Sequence, residues 1–96
     1  MYATVRRYEG VTDPSEVARV VNEIFVPIIR EIPGFVDYYV VDGGAGVMIS
    51  TSIFEDPSGE EESTFRAGEF VAQRLAALAP NPPQITAGEV VAHPAK

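Results

Sequence analysis

Two helix-start signals divide this chain into six segments. The first is Asp13-Pro14-Ser15-Glu16 and the second is Ser58-Gly59-Glu60-Glu61. A capping residue followed three positions later by glutamate is typical of a helix N-terminus, and proline suits the first helical position. The remaining segments have the composition of strands, so the predicted order is β-α-β-β-α-β. This order predicts an α+β protein with the ferredoxin-like fold, a four-stranded antiparallel sheet carrying two helices.

Alternation and helical spacing give the bounds of the elements. The predicted elements are a strand over residues 2–9, a helix over 14–31, strands over 35–41 and 47–54 joined by a glycine-rich turn, a helix that begins at Ser58, and a strand over 85–92. Pro27 lacks the N–H that would bond to the carbonyl of Glu23, so we expect a local kink in the first helix. The second helix is expected to turn Phe65, Val71, Leu75 and Leu78 to the core.

Length and charge exclude several classes of protein. A chain of 96 residues predicts one domain, residues 1–96. The net charge of −7 and the scattered lysines and arginines argue against nucleic-acid binding. No apolar run approaches the ~20 residues that span a bilayer, and no apolar signal segment follows the N-terminal arginines. We therefore expect a cytoplasmic protein without membrane or nucleic-acid partners.

The middle hairpin is apolar on both faces. Its second strand points Val47, Ile49 and Ile53 to one side and Met48 and Phe54 to the other. Two helices can cover only one face of a four-stranded sheet, and a solvated second face should be polar. We therefore expect the second face to pack against another copy of the chain, giving a homodimer joined through its sheet faces. The alternative is a mildly apolar face in contact with solvent.

Three stretches resemble the antibiotic biosynthesis monooxygenase-like family, in particular an uncharacterised bacterial branch of it. They are Ile32-Pro33-Gly34-Phe35, Tyr38-Tyr39-Val40-Val41-Asp42 with the glycine turn behind it, and Ile49-Ser50-Thr51-Ser52-Ile53-Phe54-Glu55. The resemblance covers nearly the whole chain. It implies a dimeric α+β barrel with a pocket between sheet and helices in each subunit, and a small aromatic or apolar ligand.

The family includes cofactor-independent oxygenases and haem-degrading enzymes. The positions at which this chain differs from the haem-degrading members separate these two activities. Haem-degrading members carry a histidine on the second helix, whereas residues 58–79 contain none. Their cavity asparagine has no match in residues 2–8, and Phe54 stands where the family usually has tryptophan. The resemblance therefore implies no haem and no other cofactor.

The family tryptophan faces the cavity, and the resemblance gives Phe54 that direction. Alternation then places Ser52, Ser50 and Met48 on the same wall. The two small hydroxyls either bind a polar group of a ligand or simply make room for it. A register error of one residue would exchange this set for its neighbours on the other face.

The first strand and the hairpin supply the other candidate ligand-binding residues. Arg6 and Tyr8 lie on the polar side of the first strand, where a guanidinium could hold a carboxylate, phenolate or superoxide-like anion. Alternatively, Arg6 is a surface residue or the partner of an acid. Tyr38 and Tyr39 point to opposite faces, and pairing across the turn favours Tyr39 in the cavity. Asp37 would lie on the same face as Tyr39, either as the carboxylate nearest the cavity and a candidate base or as a residue at a solvent-exposed strand end.

The sequence predicts no metal site. The chain has no cysteine, which excludes thiol chemistry, and its one histidine, His93, is near the C-terminus. Glu60-Glu61-Glu62 is explained by favourable charge at a helix N-terminus. No catalytic residue is assigned, and two functions remain open: a cofactor-independent monooxygenase, or a non-catalytic dimer that binds, senses or assembles.

Overall fold

The chain forms a four-stranded antiparallel sheet with two helical segments packed on one face. The computed structural model describes residues 1–94, so Ala95 and Lys96 of the predicted domain lie outside the described part. The elements are β1 (Tyr2–Tyr8), α1 (Pro14–Val20), α2 (Val26–Ile29), β2 (Phe35–Gly44), β3 (Val47–Phe54), α3 (Pro57–Phe70) and β4 (Gln84–Glu89). The strand order is β2-β3-β1-β4. The predicted α+β class and ferredoxin-like topology are confirmed. Within residues 1–94, no helix has the length and apolar character that a bilayer crossing requires.

The two faces of the sheet differ in burial. We call the face toward the helices the inner face and the opposite one the outer face. Along β3 every second residue, from Met48 to Phe54, is buried on the inner face, and the residues between them are half-buried on the outer face. In β1, Thr4 and Arg6 are buried while Val5 and Arg7 are exposed. The predicted alternation is therefore present, with the polar side of β1 turned inward.

The first helical segment changes its hydrogen-bond pattern before Pro27. Asp13 caps α1, because its side chain accepts a hydrogen bond from the N–H of Glu16 at 3.3 Å. A π-helical turn over Val21–Phe25 then leads into α2. Pro27 cannot donate to a carbonyl one turn earlier, and a π-helical turn changes the spacing of the bonds at such a position. The irregularity expected at Pro27 is thus a change of helix type, and the segment ends at Ile29 rather than at residue 31.

The second helix starts earlier than the sequence pattern indicated. The cap is Asp56, not Ser58, because the Asp56 carboxylate accepts from the N–H of Gly59 at 3.1 Å. The hydroxyl of Ser58 donates to the same oxygen at 2.7 Å. The Ser58 hydroxyl and the Gly59 N–H lower the pKa of Asp56. The residue before the proline is therefore the cap in both helices, as Asp13 before Pro14 shows.

The core face of α3 consists of small residues and one aromatic ring. Ser63, Ala67 and Phe70 are buried, at the spacing of one helix face. Phe65, predicted to face the core, is 63% exposed, because it lies two positions from Ser63 on the other side of the helix. The small residues let α3 approach the sheet closely.

Gly59 marks the closest approach of α3 to β3. A Cβ at this position would lie 2.6 Å from Cδ1 of Phe54 and 2.9 Å from the carbonyl oxygen of Pro33. We expect Gly59→Ala to lower the free energy of unfolding by about 1–2 kcal/mol, since overpacking outweighs the better helix propensity of alanine. Urea denaturation measures the change. Gly68→Ala is the matched control, because no atom lies within 4 Å of its added Cβ. Equal stability of the two variants would contradict this packing.

A β-bulge in β2 reverses the predicted facing of its tyrosines. Phe35 pairs with Phe54, but the register shifts between Phe35 and Asp37, and Tyr38 then pairs with Ser52. A bulge adds one residue to a strand and so exchanges the faces beyond it. Tyr38 therefore lies on the inner face and Tyr39 on the outer face, the opposite of the prediction.

Candidate functional site

A buried arginine is the centre of the polar cluster on the inner face. Arg6 is only 2% exposed. One terminal nitrogen of its guanidinium donates to the hydroxyl of Ser52 at 3.3 Å, and the other donates to the hydroxyl of Thr64 at 2.7 Å. Strand β1 thus places the cation between β3 and α3. A buried charge is tolerated only when it is hydrogen-bonded, as it is here.

Glu60 supplies the nearest negative charge of the cluster. The hydroxyl of Thr64 donates to Oε1 of Glu60 at 3.0 Å, and the hydroxyl of Thr4 donates to the same oxygen. Burial lowers the pKa of Arg6, while Tyr8, Tyr38 and Glu60 act in the opposite direction. The cluster therefore contains its own counterion on the first turns of α3.

Two tyrosines lie beside the arginine. Burial raises the pKa of Tyr38 to about 12, although Arg6 opposes the shift. Burial likewise raises the pKa of Tyr8, again against the effect of Arg6. Both phenols are therefore neutral at physiological pH and can act as hydrogen-bond donors.

A small cavity lies between the inner face and the helices. Its volume is about 40 Å³, and its lining includes Tyr8, Tyr38 and Ser50 among mainly apolar side chains such as Phe25 and Phe70. This space can hold one or two water molecules but not an aromatic ring.

A larger cleft opens beside β4. Its volume is about 450 Å³, and Arg6, Tyr8 and Thr64 lie along it together with Asn81. Its other walls are apolar, and they are formed by Gly68, Val71, Ala72, Ala76, Ala79, Pro80, Pro82, Pro83 and Ile85. Tyr8 also lines the small cavity, so the two spaces adjoin. Of these two spaces, the cleft has the volume of a small-molecule site.

Comparison with solved structures identifies the fold. Protein NE2512 of Nitrosomonas europaea, of unknown function, superposes with a TM-score of 0.82 at 17% identity, over 99% of this chain and 93% of that one. A variant of SnoaB, a cofactor-independent oxygenase from Streptomyces nogalater, gives 0.75 at 16% identity, over 96% and 94%. A protein described as an antibiotic biosynthesis monooxygenase gives 0.68 at 13% identity, over 96% and 100%. The chain has the antibiotic biosynthesis monooxygenase-like fold. No protein-family profile and no curated protein matches the sequence.

Within this fold, the structure brings four of the six predicted ligand-binding residues together. Arg6 and Tyr8 line the cleft, and Ser50 lines the small cavity. The hydroxyl of Ser52 accepts a hydrogen bond from Arg6. Phe54 is fully buried on the predicted face, but it packs against Phe35 with 5.8 Å between ring centroids and lines neither space.

Tyr39 does not join the cluster. It is 53% exposed on the outer face, and its hydroxyl donates to the carboxylate of Asp37. That bond is the main reason that the pKa of Tyr39 is raised. Asp37 consequently also lies away from the cleft, and Glu60 is the carboxylate that contacts the cluster.

Four residues of the cluster were not among the predicted ligand-binding residues: Thr4, Tyr38, Glu60 and Thr64. The four-residue spacing of Glu60 and Thr64, which puts both on one face of α3, was a usable signal. A second signal was the inward direction of Arg6, since a buried guanidinium requires acceptors. Among residues 1–94, no three His, Cys, Asp or Glu side chains gather as metal ligands would.

Proposed function

We propose that the protein binds a small planar aromatic anion in the cleft, with Arg6 holding the anionic oxygen. The observation that carries this proposal is a buried guanidinium at a cleft of about 450 Å³ whose remaining walls are mainly apolar. A guanidinium has five N–H donors, and the bonds to Ser52 and Thr64 use two of them. Because Arg6 lines the cleft, the proposal assigns the remaining donors to a carboxylate or phenolate of the ligand.

The walls of the cleft support an aromatic ligand. Alanines and a glycine from the α3 side and prolines from the segment before β4 provide flat apolar surfaces. Such surfaces bury the faces of a ring and stabilise the complex in proportion to the area removed from water. Tyr8, as a neutral phenol, supplies a second donor for the polar group of the ligand.

The proposal extends to cofactor-independent oxygenation. By stabilising the anion, Arg6 would lower the pKa of a bound phenol or anthrone and increase the fraction of the electron-rich form that reacts with O₂. An anthrone methylene plus O₂ would give the quinone carbonyl and water. SnoaB, a cofactor-independent oxygenase, has the same fold, and this similarity supports the proposed chemistry.

A non-catalytic binding protein is the second candidate, and the lining of the cleft favours it. Among residues 1–94, none of the side chains that line the cleft is a carboxylate or a histidine that could remove a proton from the ligand. Oxygen consumption with an anthrone discriminates between the two functions. Binding of the anthrone without consumption of O₂ would assign the non-catalytic role.

We also propose a homodimer that packs through the outer face. Val41 is 55% exposed and Tyr39 is 53% exposed there, beside half-buried Ile49 and Ile53. This apolar surface lies on the side of the sheet that the helices leave open. Burial against a second copy would remove it from water.

Replacing Arg6 with methionine tests the ligand site. We expect wild-type protein to bind 2-naphthoate more tightly than the uncharged 2-naphthalenemethanol, as measured by isothermal titration calorimetry. Arg6→Met should weaken naphthoate binding about tenfold or more, because charge-assisted hydrogen bonds are lost, and should leave the affinity for the alcohol nearly unchanged.

Arg7→Met is the matched control for that experiment. Arg7 follows Arg6 in β1 but points outward, where its side chain is 44% exposed and pairs with Glu9. The control should bind both probes as wild-type protein does. An equal loss of naphthoate binding in the two variants, or none in either, would contradict the proposed role of Arg6.

A further inference from the structure

The hydroxyl of Thr64 connects Arg6 to α3. Thr64 Oγ1 has a single proton and gives it to Glu60 Oε1 at 3.0 Å, so that its lone pairs face the guanidinium of Arg6 at 2.7 Å. The direction of this hydroxyl is therefore set by the carboxylate behind it. A hydroxyl free to rotate would present its proton to the cation part of the time.

Glu60 is itself fixed from two elements. Its Oε1 accepts from Thr64 on α3 and from Thr4 on β1, the strand that carries Arg6. No ion pair within 4 Å joins Glu60 and Arg6 directly among residues 1–94. Besides its coulombic attraction for the cation, the carboxylate is therefore connected to Arg6 by hydrogen bonds through Thr64. Thr64 also lines the cleft beside Arg6.

We propose that Thr64 and Glu60 are positioning residues that hold the Arg6 guanidinium in the orientation that binds an anionic ligand. This inference rests on the proposed function of the cleft and adds to it the two residues that prepare the arginine. Ser52 holds the guanidinium from the sheet at 3.3 Å, the longer of the two bonds. The shorter hydrogen bond that holds the guanidinium is therefore the one to Thr64.

Three substitutions at two positions test this inference. Thr64→Val keeps the shape of the side chain but removes the acceptor, and it should weaken 2-naphthoate binding about fivefold, the typical effect of one hydrogen bond. Thr64→Ser restores the hydroxyl and should restore the affinity. Glu60→Ala should weaken naphthoate binding similarly, and the Glu60→Ala, Thr64→Val double variant should be little weaker than either single variant, because both act on one interaction.

Controls separate positioning from a purely structural role. Glu61→Ala removes the exposed neighbouring glutamate, which carries the same charge but is not part of the cluster. This variant should keep naphthoate affinity near that of wild-type protein, whatever its melting temperature. Binding of 2-naphthalenemethanol should be unchanged in all variants. Naphthoate affinity that follows melting temperature across the series, with no rescue by Thr64→Ser, would overturn the inference.

A second measurement does not depend on the ligand. In ¹⁵N-labelled protein, the Arg6 guanidinium should show restrained rotation in wild-type protein and in Thr64→Ser, and faster rotation in Thr64→Val and Glu60→Ala. If wild-type protein does not bind naphthoate while this pattern appears, the proposed ligand is wrong and the positioning is correct. Equal rotation in wild-type protein and Thr64→Val would overturn the positioning itself.

Discussion

The Val41→Lys variant should be a monomer at concentrations where the wild-type protein is a dimer. Val41 is 55% exposed on the outer face, so a lysine there stays solvated in a monomer and should hardly affect folding. In the proposed dimer, the same ammonium group would be buried against the second sheet without a partner. The cost of several kcal/mol per buried ion corresponds to an increase of about a thousandfold in the dissociation constant. Native mass spectrometry over a range of protein concentrations measures this dissociation constant.

Val91→Lys controls for the chemical change alone. Val91 is 91% exposed and follows β4, which is the edge strand farthest from the β2 strand that carries Val41. This variant should dimerise like the wild-type protein. A wild-type protein that stays monomeric at high concentration, or a Val41→Lys variant that dimerises normally, would contradict the outer-face dimer.

Tyr38 should make the fold sensitive to alkali. Its pKa is about 12 in the folded protein, whereas an unfolded tyrosine titrates near 10. Between these values the folded state keeps the phenolic proton and the unfolded state has lost it. This contribution to stability is therefore complete below pH ~10 and decreases as the pH rises toward ~12. Allowing for the partial exposure of the side chain, we expect a loss of about 2 kcal/mol.

Urea denaturation of wild-type protein and Tyr38→Phe at pH 9 and at pH 11.5 tests this linkage. Phenylalanine has no proton to lose, so the variant should lose less stability between the two pH values. Tyr39→Phe is the control, since Tyr39 is 53% exposed and its removal should change the alkaline dependence much less. Identical pH dependence of wild-type protein and Tyr38→Phe would show that the Tyr38 phenol ionises as readily in the folded state as in the unfolded state.

Local sequence signals were sufficient for the order of the elements and for the alternation of β1 and β3. The helix starts, the glycine turn and the two-residue alternation each depend on near neighbours, and alternation correctly placed Ser50, Ser52 and Phe54 on one face. The direction of that face came from the family resemblance, and the inward direction of Arg6 was left open. The facing of Tyr38 and Tyr39 depended on a bulge, which forms between paired strands and leaves little trace in one strand alone.

The polar cluster depended on contacts between distant segments. Thr64 lies 58 positions from Arg6 along the chain, and Glu60 lies 56 from Thr4. Favourable charge at a helix start was a sufficient explanation of Glu60 in the sequence, so its hydrogen bonds to Thr4 and Thr64 were not predicted. The volume and walls of the cleft depend on how α3 and the prolines pack beside β4, and no local pattern encodes that packing.

The bulge in β2 has a consequence for communication between the two surfaces of the sheet. Alternation places adjacent residues of β2 on opposite faces, and the bulge decides that Tyr38 is the one at the inner cavity and Tyr39 the one in the patch proposed to meet a second subunit. A shift of this strand moves both side chains at once. If the outer face is the interface and a ligand held by Arg6 shifts this strand through Tyr38, ligand occupancy and subunit association are thermodynamically linked, each altering the equilibrium constant of the other by the same factor.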